Sequence, residues 1–91
     1  MAIYRKRGDL TVQAVEEETL LLDVTGNAIH QLNPSASLIW ENCDGTNTAD
    51  HLLTILLEHY DIDADTARGD VRNILEQLLA SNLIEEVSQT S

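Results

Sequence analysis

The residues able to carry chemistry in this chain are few: Cys43, the histidines His30, His51 and His59, the run Asp61-x-Asp63-x-Asp65, and the pair Arg68 and Arg72. A nucleophilic thiol needs a base within reach and a lowered pKa. Cys43 instead shares a helical stripe with Ile39 and Trp40, where a small buried side chain is expected. His51 and His59 stand about two helical turns apart, and His30 lies on a different element, so surface side chains are expected rather than metal ligands. The alternating aspartates open like a calcium loop. The loop then fails, with Thr66 where the sharp turn wants glycine and Arg72 where a bidentate glutamate should close the site, and a helix cap is the better reading. No glycine-rich phosphate loop, nucleophile elbow or zinc signature is present. No catalytic residue, metal or cofactor is therefore expected.

Composition narrows the function classes further. The 91 residues are 43% hydrophobic with one proline and four glycines, which suits one self-folding domain. The formal net charge is -11, from 16 acidic residues against Arg5, Lys6, Arg7, Arg68 and Arg72. Broad attraction to nucleic acid or an anionic membrane is disfavoured at that charge. A single cysteine excludes an internal disulfide and fits a reducing compartment. The cations near the N-terminus have no secretory apolar core behind them, and the longest apolar cluster, Leu52 to Leu57, is interrupted by Thr54. A soluble, cytoplasmic protein is expected.

The elements that must position any binding site are arranged around residues 28 to 45. Asn33 is a favoured helix N-cap and Pro34 suits the first helical turn, so a short strand stops at Asn33 and turns directly into a helix. Ala36, Ile39, Trp40 and Cys43 form its apolar stripe, and Asp44-Gly45 offers a left-handed stop. Before it, residues 1 to 9 read as a loosely held arm. Leu10 to Val15 alternates like a strand with one buried face, Glu16-Glu17-Glu18 makes a turn, and Thr19 to Asp23 is apolar on both faces, as in a covered central strand. Gly26-Asn27 closes a second hairpin before Ala28 to Leu32, a short, mixed strand expected at a sheet edge. Beyond the first helix, a second is expected over about residues 49 to 60 and a third to about Ser81, with Ala67, Val71, Leu75, Leu78 and Asn82 on its central stripe, Ile74 on one flank and Leu79 on the other. Asn82 suits a left-handed helix end before Leu83-Ile84 and a fraying tail. The expected fold is α+β and winged-helix-like, three antiparallel strands followed by three helices, with a domain over 10 to 85 and a flexible tail over 86 to 91.

That order of elements, with Gly26 through Leu32-Asn33-Pro34, Ala36 through Ile39-Trp40, and Asp44-Gly45-Thr46, resembles the PqqD-like family, named for coenzyme PQQ synthesis protein D. Leu53 to Tyr60, Asp70-Val71, Leu75, Leu78-Leu79 and Leu83-Ile84 extend the likeness over nearly the whole chain. The resemblance implies a RiPP recognition element: a module without catalysis of its own that binds the leader of a ribosomally made precursor peptide and presents it to a modifying enzyme, often a radical SAM protein. In that family the leader adds as a strand between the third strand and the third helix. Carried over, this implies a peptide site made of Ala28, Ile29, His30, Gln31 and Leu32 on one wall and Arg68, Val71, Arg72, Leu75 and Leu79 on the other. Asn82 departs from the glycine that often precedes the final apolar pair in the family.

The residues lead to a compatible mechanism without the resemblance. An exposed edge strand is a template for β-augmentation, each main-chain hydrogen bond contributing roughly 0.5 to 1.5 kcal/mol. Four or five such bonds, less the cost of ordering a peptide, suit a dissociation constant on the order of micromolar or tighter. Arg68, Arg72 and Leu79 share one flank of the third helix, where the two guanidiniums can hold an acidic leader and Leu79 an apolar anchor. Two other functions are open: a winged-helix DNA-binding or regulatory domain, for which Asp65, Asp70 and Glu76 make the third helix a poor match, and a self-associating structural module. A monomer and an edge-strand homodimer are both open.

Overall fold

Asn33 does what its position suggests. In the computed structural model, which describes residues 2–88, it leaves the helix in an extended conformation while its side-chain oxygen accepts from the amide of Ala36 at 2.8 Å. It joins strand β4 (Ala28–Leu32) to helix α1 (Pro34–Glu41) with no loop between them. Upstream lie β1 (Ala2–Lys6), β2 (Thr11–Val15) and β3 (Glu18–Asp23); downstream come β5 (Asp44–Asn47), α2 (Ala49–His59), α3 (Ala64–Ala80) and β6 (Ile84–Ser88).

Strands β2, β3 and β4 form the expected antiparallel meander, in that order, with Leu21 opposite Val12 on one side and His30 on the other. Its turns use left-handed residues: Glu16 at φ 59° between β2 and β3, and Asn27 at φ 53° between β3 and β4. Asparagine adopts that conformation readily; glutamate does so at some cost, and only where the short connection demands it. The sheet is covered on one face. Thr19 and Leu21 are buried while Leu20 and Leu22 are half-exposed, so β3 is not enclosed on both sides as its apolar run suggests. Continuous leucines reported hydrophobicity without reporting which layer lay above them.

A second sheet, ordered β5-β1-β6, corrects the expectation of a loose N-terminal arm: Ala2–Lys6 is its central strand, antiparallel to both neighbours. The segment from Glu85 also differs from a frayed tail, because residues through Ser88 pair with β1. The rest of that expected tail, 89 to 91, lies outside the described residues, as does Met1. Asp44-Gly45 does not stop α1, which is capped at Asn42; Gly45 takes φ 88° inside β5. These strands pair over long sequence separations, and their short alternations are too weak to be read locally.

The core lies between the helices and the meander. Leu21, Ile39, Trp40, Leu52, Leu56, Val71, Leu75 and Leu78 are buried together with Leu83 and Ile84. Asn82 adopts φ 60° after α3, as expected, and turns Leu83 back so that its carbonyl accepts the Trp40 indole N–H at 3.1 Å. Arg7 fastens the two sheets together, donating to Asp9 and, at 3.0 Å, to Asp23 at the end of β3. Hydrogen bonds from Arg7 hold both carboxyls below their ordinary range. A depressed folded pKa stabilises above the unfolded value, near 4, and that contribution disappears as pH falls through the folded value. Asp23→Asn is therefore expected to lower the urea midpoint most near neutral pH and progressively less below about pH 4; a constant difference across that range would show that the pair adds nothing titratable.

Candidate peptide-binding grooves

Because the meander runs β2-β3-β4, no strand among the described residues lies beside the outer side of β4, and its alternate N–H and C=O groups face outward. Helix α3 faces that edge across a groove of about 290 Å³. Ile29, His30, Gln31 and Leu32 line it from the strand, and Ile74, Gln77, Leu78 and Ser81 from the helix. Ala36 and Leu83 extend its apolar surface. Side chains alternate along β4 as the pleat requires, with Leu32 buried at 7% exposure and Ile29 exposed at 69%. Gln31 donates to Glu18 on the neighbouring strand at 3.1 Å, and Ala28 sits at the hairpin end opposite Asp23.

The other expected wall is elsewhere. Arg68, Val71, Arg72, Leu75 and Leu79 lie on a different face of α3 and line a second groove with Tyr4, Ala49, Leu53 and Glu76. At about 100° per residue, the face through Ile74, Gln77 and Ser81 and the face through Arg68, Arg72 and Leu79 are roughly opposite. Both flanks were legible in the pattern of α3, and the arginines drew attention to the wrong one for the β4 groove. The mixed strip of Ile74, Gln77 and Ser81, half-apolar beside a fully apolar stripe, was the signal available for the facing wall.

The other singled-out residues have structural places. Asp63 caps α3, its carboxylate accepting from the amides of Asp65 and Thr66 at 3.1 and 3.3 Å. His51 closes a capping box with Thr48, accepting the Thr48 amide at its Nδ1 while its own amide donates to the Thr48 hydroxyl. His59 contacts the Ile55 carbonyl one turn back. Cys43 is fully buried, its thiol donating to the Ile39 carbonyl, and burial pushes its pKa up to about 12, opposite to what a nucleophile needs. Among the described residues no three histidine, cysteine or carboxylate side chains gather into a metal-binding group. The chemistry that the β4 groove can perform is recognition: backbone pairing along one wall and mixed polar and apolar side-chain contact on the other.

A family model described as Coenzyme PQQ synthesis protein D (PqqD) matches residues 18–84. No curated protein matches the sequence. Solved structures of the same fold include TbiB1 in complex with the TbiA(beta) leader peptide, with a TM-score of 0.79 and 19% identity over 93% of this chain and 99% of that one. Lasso peptide synthetase B1 complexed with the leader peptide is similar with a TM-score of 0.76 and 21% identity, over 90% of this chain and 96% of that one. Identities this low establish a shared fold.

Proposed function

The chain belongs to the PqqD family, and from that premise we propose that it is a non-catalytic recognition element that binds the leader segment of a ribosomally made precursor peptide and presents it to a modifying enzyme. The observation that carries the reading is the edge of β4, unpartnered among the described residues, facing the groove under α3. A leader strand laid along Ala28–Leu32 satisfies the open backbone groups, while its inward side chains meet Ile74 and Leu78. Both solved structures of like fold hold a leader peptide, which supports the same use here. The modifying enzyme is of the class that acts on such leaders, a radical SAM protein being one candidate, and the site of action is the cytoplasm. Among the described residues no helix is long and apolar enough to cross a membrane.

The DNA-binding alternative lacks a basic face. Arg68 and Arg72 on α3 are set among Asp65, Asp70 and Glu76, in a chain of net charge -11. The test is capture from lysate of the source organism, with mass spectrometry tuned to short peptides as well as enzymes, and a folded variant carrying proline in β4 as control. A precursor peptide and a maturation enzyme should be recovered by the parent protein, and the control should lose the peptide. Recovery of nucleic acid alone, or of further copies of the same chain alone, would overturn the reading.

A further inference from the structure

The groove on the far side of α3 is a separate surface with its own chemistry. Its floor is made of buried Leu53, Val71 and Leu75 and half-buried Leu79; Tyr4 of β1 and Ala49 of α2 form the opposite wall, enclosing about 360 Å³. No residue of β4 lines it, so a strand added to β4 occupies a different surface. Its rim carries the only cations beyond Arg7. Arg5 pairs with Glu85, Arg7 with Asp9 and Asp23, and Arg68 weakly with Asp65 at 3.7 Å, whereas Arg72 has no carboxylate partner among the described residues. Asp50 and Glu76 on the same rim cancel any broad positive field, so the groove does not select for acidity in general. Its chemistry suits one carboxylate delivered to the Arg72 fork beside aliphatic side chains that fill the floor.

We propose that this groove docks the peptide-modifying enzyme, through an aliphatic segment of that protein carrying a carboxylate set against Arg72. The identity of the partner rests on the leader-delivery reading above; the groove and its ligand chemistry do not. Delivery requires leader and enzyme to be held at once, and two grooves on opposite faces of one helix allow this without competition. Each then raises the local concentration of the other's ligand.

Two measurements test the proposal. In the capture experiment, Arg72→Glu as bait is expected to keep the precursor peptide and lose at least tenfold of the enzyme, the reverse of the β4 proline control. Retention of the enzyme, or loss of the peptide together with it, would overturn the proposal. The second measurement is a methyl and amide NMR titration of the full chain with a synthetic amphipathic peptide of leucine and glutamate, and with its leucine and lysine counterpart. The glutamate peptide is expected to shift Leu53, Leu75, Leu79 and the Arg72 side-chain N–H, to leave Ile29 to Leu32 unmoved, and to bind a Gln77→Trp variant equally well. Equal binding of the lysine peptide, or no weakening by Arg72→Glu in a variant whose amide spectrum stays folded, overturns the ligand chemistry. If the glutamate peptide binds as expected while capture recovers no enzyme, the partner assignment falls together with the delivery reading.

Discussion

One of two single substitutions, Ile29→Pro or His30→Pro, is expected to weaken leader binding at least tenfold in a protein that stays folded, and the other to damage the fold instead. Along an antiparallel strand, successive residues direct their N–H and C=O groups alternately toward the neighbour and away from it. Among the described residues β4 has a strand neighbour only in β3, so one of these two adjacent residues bonds within the sheet and the other presents its amide to the open edge. Proline at the open-edge residue removes a donor that only an incoming strand uses, and its ring crowds the approach. Tenfold corresponds to about 1.4 kcal/mol, the scale of one lost main-chain bond with some added strain. Proline at the other residue breaks a β3–β4 bond and should lower the urea midpoint. Thermal melting sorts the variants, and fluorescence anisotropy with the captured precursor's leader measures binding. If both bind the leader like the parent, strand addition at β4 is wrong.

Trp40→Ala is expected to cost about 3 to 5 kcal/mol, a large share of the roughly 5 to 15 kcal/mol that holds such a domain together. Trp40 is 3% exposed at the end of α1, and three separate parts of the chain meet on it. Its indole N–H donates to the Leu83 carbonyl at 3.1 Å, and Lys6 of β1 lies over its ring at 5.0 Å from the centroid. Removing the ring opens a cavity between α1 and the segment after α3, where neither backbone can close onto the other without losing its own pairing. Trp40→Phe should cost much less, about 1 to 2 kcal/mol. Most of the apolar area remains, and the Leu83 carbonyl still accepts the Arg7 amide at 3.2 Å, so no buried acceptor is orphaned. Urea denaturation of the two variants checks both values; an alanine variant within 1 kcal/mol of the parent would mean that the helices hold the C-terminal segment without the indole.

The same tryptophan bears on the β4 groove through Leu83. Leu83 and Ser81 line one end of that groove, and Leu83 is positioned by Asn82 in its left-handed conformation and by the indole bond. Loss of Trp40 is therefore expected to weaken leader binding through the groove's geometry, although the residue lies outside it.

Features that depend on neighbours a few residues away were legible in the chain. Asn33-Pro34 ended a strand and began a helix because the cap and the first turn are made by those residues alone. Asn82 ended α3 because asparagine accepts the left-handed conformation that a turn there requires, and Asp63 capped α3 through its own carboxylate. The meander and the β4 edge proposed to take the leader followed from three short patterns with turn residues between them. Features that depend on where an element lies relative to distant ones came only from long-range packing. The arm over Ala2–Lys6 became a central strand because its partners lie in β5 and β6, far along the chain. A helical wheel shows that α3 has two flanks, Ile74 on one and Leu79 on the other, and treats them alike. Which flank faces β4 depends on how α1 and α2 carry the chain across the sheet before α3 packs down, and that path places Ile74 across the groove from the strand and Arg72 over a groove of its own.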